Sequence, residues 1–401
     1  MNPAEMLQMM RDPLGAPLYP PIVQALLVVT YVLHIFFVTL AFGTSFTSIY
    51  GFLRGGEYLK RLARLAARIT PNAAGFGVLM GIAPLLFVQT IYDPAWYAAN
   101  TLEGFWSVAF IFVVMGGYAL AYLFYLKGSE NGKLLWSAGL SLALLFLAGF
   151  VMHVLSSVSL YPARWGEWYA PAGVVDTRGV VFHSYNLPRL VFLLFLQSGL
   201  SLAVVLLLFS WYFRRREDAE PAFLDWVAGL GRRLALWVSP LYAFFGLLWA
   251  VTQGSELGLA LPMAVVLGGL GVGLFLFFRG LKDPAAAAPK ALLVWMLALL
   301  VAGVVRETIR AVAMGHYGYS VANYPYIVDW GSIVVFLATT VLTLPVIVYL
   351  VLALYQSGAT REGREPAPWV ERLGRVAVGM LGAWFGFFLL LGLWATFRLL
   401  G

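Results

Sequence analysis

Residues 190–209 read LVFLLFLQSGLSLAVVLLLF and include no charged side chain. An α-helix of about 20 residues crosses the roughly 30 Å hydrocarbon core of a bilayer. A chain segment in lipid must satisfy its backbone hydrogen bonds internally, and a helix does so. This stretch therefore predicts a transmembrane helix.

The same pattern recurs along the chain of 401 residues. The sequence therefore predicts an all-α fold, a polytopic transmembrane helical bundle of about ten helices that forms a single integral membrane domain over residues 1–401. The stretch 57–68, which is basic and amphipathic, predicts a separate helix on the cytoplasmic surface. The predicted spans lie near residues 21–53, 72–92, 104–126, 134–160, 186–213, 234–252, 258–278, 291–315, 330–355 and 376–398.

The composition excludes several classes of protein. Hydrophobic residues make up 61% of the chain and charged residues 11%, whereas an ordinary soluble domain has roughly 25% charged residues. The chain contains no cysteine, which excludes disulfides, cysteine-ligated iron–sulfur clusters and thiol catalysis. The net charge of +7 does not indicate a nucleic-acid partner, because the basic residues cluster at helix ends.

The distribution of basic residues predicts the topology. Of the 26 lysine and arginine residues, 19 lie in the odd-numbered connections, including Arg361 and Arg364 in the ninth. The positive-inside rule then places both termini outside, and we expect a multi-pass protein of a prokaryotic cytoplasmic membrane. The outer connections 92–106, 161–186 and 315–330 are rich in aromatic residues, Pro and Gly, and predict an ordered aromatic cap on the membrane.

Ionisable side chains inside a membrane are costly, so each one is a candidate functional residue. His34 lies near the middle of the first predicted helix, and His153 in the outer third of the fourth. The eighth helix contains Arg306, Glu307 and Arg310 in its outer half. One interpretation is a salt bridge between Glu307 and Arg310 that compensates itself. The other is a site where these groups hold a haem iron and its propionates, or a quinone headgroup.

Three motifs resemble subunit I of the cytochrome bd quinol oxidases, over residues 20–320. Residues 31–43, YVLHIFFVTLAFG, resemble the first helix of that family, and residues 77–89, GVLMGIAPLLFVQ, resemble its second. The sequence Glu307-Thr-Ile-Arg310 matches the family's Glu-x-x-Arg signature. After Arg310, this chain has Ala311-Val312-Ala313 where the family has Gln-Pro-Trp, and its connection 253–258 is short where the family has a quinol-binding loop.

The resemblance implies one or two b-type haems near the outer face. It implies His34 and Glu307 as axial ligands of haem iron, and His183 with Met263 as the pair at a low-spin haem. Arg306 and Arg310 would then steady propionates or a quinone headgroup, and His153 is a further candidate for cofactor binding. The departures favour a component of a quinol oxidoreductase rather than a complete terminal oxidase.

Three functions remain open from the sequence. The first is a membrane-embedded electron-transfer subunit that passes electrons between membrane quinol and an outer-face partner, a periplasmic electron carrier within a redox complex. The second is a haem-free structural or quinone-binding anchor subunit of a respiratory complex. The third is a secondary transporter with a midplane site at Arg306, Glu307 and Arg310, although no inverted repeat is visible.

Overall fold

The computed structural model describes residues 2–216, 219–357 and 367–400, and its regular structure in these ranges is helical. Ten of the described helices are long and apolar enough to cross a membrane, which confirms the predicted all-α polytopic fold. Arg361 and Arg364, which support the predicted topology, lie outside the described residues. The ten helices are α1 (Pro20–Arg54), α2 (Glu57–Ile91), α3 (Gly104–Lys127), α4 (Leu135–Val158), α5 (Leu187–Phe213), α6 (Pro221–Leu257), α7 (Ala260–Gly280), α8 (Ala288–Gly315), α9 (Trp330–Ser357) and α10 (Pro368–Leu400).

The expected separate surface helix at 57–68 is wrong, because these residues form the first turns of α2. Small side chains let the first turns of α2 pack closely on α1. Gly51 of α1 lies so close to α2 that a Cβ atom added there would be 2.7 Å from the Cβ atom of Ala63. The basic residues of this stretch therefore belong to the same continuous helix as the apolar segment that follows them. A prediction based on apolar residues alone places the start of this helix too late.

The contacts of the chain divide it into two compact units. The first unit comprises Met1–Leu208 and Val227–Ile327. The second comprises Phe209–Trp226 and Val328–Gly401, and within it α9 and α10 pack together where Gly374 faces the ring of Tyr349. The single-domain interpretation stays a prediction.

Within the first unit, the connections predicted to form a cap contain short ordered elements. A helix at Asp93–Leu102 follows α2, and a second short helix, Trp165–Tyr169, lies between α4 and α5. An isolated parallel bridge joins Ala16 to Tyr326. We call the connections 92–103, 161–186 and 316–327, together with the segment around Ala16, the cap. The end of each helix that adjoins the cap is its cap end. The candidate site lies among the cap ends of α4, α5, α6 and α8.

Two of these cap ends depart from α-helical geometry. Helix α5 contains a π-helical segment at Val191–Leu196, and α6 contains one at Ala250–Gly254. Such segments occur frequently at functional sites, because they add a residue to a turn and redirect the side chains beside it.

Candidate functional site

The carboxylate of Glu307 accepts three hydrogen bonds inside the first unit. Its Oε1 atom accepts from the Tyr92 hydroxyl at 2.6 Å and from Nε2 of Gln24 at 2.9 Å. Its Oε2 atom accepts from Nη1 of Arg310 at 2.8 Å. Glu307 and Arg310 are both buried. The salt bridge predicted from their spacing on one face of α8 is therefore present, and it is joined by residues from outside α8.

Two further arginines approach this ion pair. The guanidinium of Arg306 lies over the ring of Tyr31, with its central carbon 4.4 Å from the ring centroid. Arg189, at the start of α5, donates to the hydroxyls of Ser156 and Ser157. In the described part of the chain, neither Arg306 nor Arg189 forms a salt bridge with a carboxylate. The site therefore has three guanidinium groups and one carboxylate.

A local capping arrangement positions Arg189. The side chain of Asn186 accepts a hydrogen bond from the backbone N–H of Arg189 at 2.9 Å, which caps the first turn of α5. The backbone N–H of Asn186 donates to Nε2 of His153 at 3.1 Å. This histidine nitrogen is an acceptor, so it carries no proton in this arrangement. His153 therefore fixes the start of α5 and, through it, the position of Arg189.

Two small cavities lie on either side of Arg310 and Ser156, which line both. Each has a volume of about 10 Å³ for the centre of a water-sized sphere, so as packed each holds about one water molecule. Cavity A is lined by Arg189, Arg306, Arg310, Ser156, Trp249 and Leu160 among others. Cavity B is lined by Tyr92, Trp96, Val88, Ala95, Ser159 and the two shared residues.

His34 lies beside this cluster on α1. Its Nδ1 atom is 2.8 Å from the carbonyl oxygen of Gly77 on α2, and its ring packs against Gly81. Its ring centroid is 6.5 Å from that of Tyr31, the residue whose ring lies under Arg306. His34 is thus next to the arginine cluster but has its own partner on α2.

His183 lies in the cap and pairs with Glu103. The backbone N–H of His183 donates to Oε1 of Glu103, with 3.1 Å between the nitrogen and the oxygen. The Nδ1 atom of His183 lies 2.9 Å from the same oxygen. Its ring also stacks on Trp168. Burial raises the pKa of the Glu103 carboxyl, while the hydrogen bonds from His183 act in the opposite direction. The described hydrogen bonds thus join His183 to Glu103.

Met263 is buried near the start of α7, and its sulfur lies against Gly254 of α6. The structure therefore gathers Arg306, Glu307 and Arg310, with His153 behind Arg189. The described contacts of His183 and Met263 do not include one another.

Sequence reasoning missed Arg189, Tyr92 and Gln24. Arg189 had a usable signal, since it is the last charged residue before the uncharged run that begins at residue 190. Tyr92 and Gln24 had none, because a tyrosine or glutamine near a helix end is ordinary in membrane proteins.

The residues of this cluster do not fit haem iron ligation by Glu307. In this arrangement the carboxylate serves Tyr92, Gln24 and Arg310, and cavities A and B each have room for about one water molecule, so a haem beside Glu307 would require the surrounding helices to move apart. No protein family, curated protein or solved structure was found to match this chain. The function is therefore argued from the chemistry of the site.

Proposed function

We propose that this protein is the quinone-binding membrane subunit of a redox complex, and that cavity B receives the quinone headgroup. One observation carries the proposal. Cavity B combines aromatic rings with the guanidinium donor of Arg310 and with hydroxyl oxygens, among apolar helices. A quinone headgroup is a flat ring with apolar faces and a carbonyl oxygen at each end, so it needs this combination.

Each wall of cavity B has a part in this proposal. The rings of Tyr92 and Trp96 line the cavity together with Val88 and Ala95. These side chains move apart to admit the headgroup, since the cavity as packed holds about one water molecule. Arg310 donates charge-assisted hydrogen bonds to a carbonyl oxygen, and these are stronger than neutral ones. The headgroup thus meets an apolar surface on its faces and donors at its edge.

The Tyr92 hydroxyl gives a quinol a route for its proton. This hydroxyl donates to Glu307 and accepts from Gln24 at 3.0 Å, which leaves its oxygen one lone pair. A quinol hydroxyl that donates to this lone pair is joined through Tyr92 to the carboxylate of Glu307. The electrons of the quinol pass to a redox-active partner protein, as expected for one subunit of a complex.

Filling cavity B tests the proposal. Ala95→Leu places three extra carbon atoms in the cavity and is expected to weaken binding of a short-tailed quinone at least roughly tenfold, which is about 1.4 kcal/mol. The measurement is isothermal titration of the purified full-length chain in detergent micelles. Ala98→Leu is the matched control, because Ala98 is on the same short helix but does not line cavity B. Equal quinone affinity in Ala95→Leu and wild type would refute this site.

A b-type haem is the second candidate, and His34 is the residue that favours it. An imidazole whose one nitrogen donates to a backbone carbonyl is held in the orientation typical of metal-ligating histidines. The two candidates differ in the reduced-minus-oxidised visible spectrum of the purified protein. The haem-free quinone-binding subunit gives no b-type α band, whereas a band that His34→Ala removes would establish the haem and its ligand.

A further inference from the structure

Cavity A contains more positive charge than its surroundings neutralise. Arg310 is paired with Glu307, and both oxygens of that carboxylate are engaged. The described partners of Arg306 and Arg189 are neutral: the ring of Tyr31 for the first, and serine hydroxyls for the second. Glu256, a carboxylate at the cap end of α6, is exposed and accepts a hydrogen bond from the Tyr161 hydroxyl instead. Two cations are therefore left without a counterion.

One donor in this cavity also lacks a partner. Arg189 is 3% exposed, and its Nε–H has no hydrogen-bond acceptor. Buried donors are almost always paired, and an unpaired donor on a charged group is especially unfavourable. The unpaired Nε–H of Arg189 and the excess positive charge of the cavity are independent observations. Both indicate a missing anionic acceptor.

We propose that cavity A is a binding site for a phosphate group, held by Arg189 and Arg306 with Ser156 and Arg310 beside them. Guanidinium groups bind phosphate oxygens through paired hydrogen bonds, and three of them converge on this cavity. As packed, cavity A has room for about one water molecule, so a phosphate group enters it as these guanidinium groups move apart. The phosphate comes either from the headgroup of an anionic phospholipid or from solution.

The phosphate site and the quinone site share Arg310 and Ser156 but differ in the rest of their linings. Arg189, Arg306 and Trp249 line cavity A and not cavity B, whereas Ala95 and Trp96 line cavity B and not cavity A. A substitution at Arg189 therefore tests phosphate binding alone, and failure of one proposal does not entail failure of the other.

The experiment uses the full chain in two arms. In the first, inorganic phosphate is titrated into protein in phosphatidylcholine nanodiscs, with chloride at equal ionic strength as reference, and the unfolding midpoint is followed. In the second, protein from nanodiscs containing phosphatidylglycerol is examined by native mass spectrometry for retained lipid. If binding occurs in the second arm and not in the first, the phosphate comes from the lipid headgroup. Binding in the first arm shows that free phosphate suffices.

The variants decide the outcome. Arg189→Gln is expected to weaken binding at least roughly tenfold, since it removes charge-assisted hydrogen bonds. Arg189→Lys keeps the charge and should restore part of the phosphate affinity. If Arg189→Gln does not fold, Arg306→Gln replaces it as the test variant. Arg178→Gln is the control, because Arg178 pairs with Asp176 on the cap surface. Absence of binding in both arms, or wild-type affinity in Arg189→Gln and Arg306→Gln, would overturn the proposal.

Discussion

Replacing Glu307 by glutamine is expected to lower the free energy of unfolding by about 3–5 kcal/mol. Glutamine has almost the same shape, so the loss comes from the charge. The carboxylate is the counterion of Arg310, and its removal leaves a buried guanidinium beside two others. The measurement is equilibrium unfolding of the purified chain in mixed detergent micelles.

Glu256→Gln is the matched control for this substitution. Glu256 also accepts from a tyrosine hydroxyl, at 2.8 Å, but it is exposed. Exposed polar interactions contribute little, so we expect a change within about 1 kcal/mol. If Glu307→Gln is as stable as wild type, the carboxylate is not the counterion of the cluster, and the charge argument for cavity A has to be revised.

Gly179→Ala is expected to cost about 2–4 kcal/mol through two effects. Gly179 has a φ of +61°, which an L side chain rarely adopts. A Cβ atom there would also overlap the backbone nitrogen of Gly104 and lie 2.8 Å from its Cα atom. Gly179 thus lets the cap approach the first residue of α3, beside the Glu103 that accepts from His183. The same unfolding measurement reports the loss.

Gly173→Ala separates the two effects. Gly173 has a φ of +81°, but nothing lies within 4 Å of the position of its Cβ atom. We therefore expect it to show the conformational cost alone, about 1–2 kcal/mol. Equal losses in the two variants would mean that the contact with Gly104 does not restrain the cap.

The sequence was a good guide to the fold, because a bilayer imposes a simple rule on helix length and polarity. Each of the ten predicted spans overlaps a helix of the structure. The errors are at helix ends, as at 57–68, where a helix continues into water and its residues no longer need to be apolar. The first turns of α2 pack on α1, as in the close approach of Gly51 to Ala63, and an apolar segment does not reveal such a contact.

The candidate site was predictable only in part. The pairing of Glu307 with Arg310 followed from their spacing on one helix. Tyr92 and Gln24 are 215 and 283 residues away from Glu307, so their contacts depend on how distant helices meet. Arg189 owes its position to the Asn186 cap and its bond to His153, which is a property of the folded loop.

The order of the helices along the chain also affects how α8 enters the membrane. A charged residue opposes insertion from the translocon, by roughly 2.5–3.5 kcal/mol when it is at the centre of a helix, and α8 contains three charged residues within five positions of its second half. Glu307 and Arg310 travel together as a pair within α8. Tyr31, Gln24 and Tyr92 belong to segments synthesised earlier, so they are already in place when α8 emerges. This charged span therefore leaves the translocon after the partners of its ion pair have been inserted.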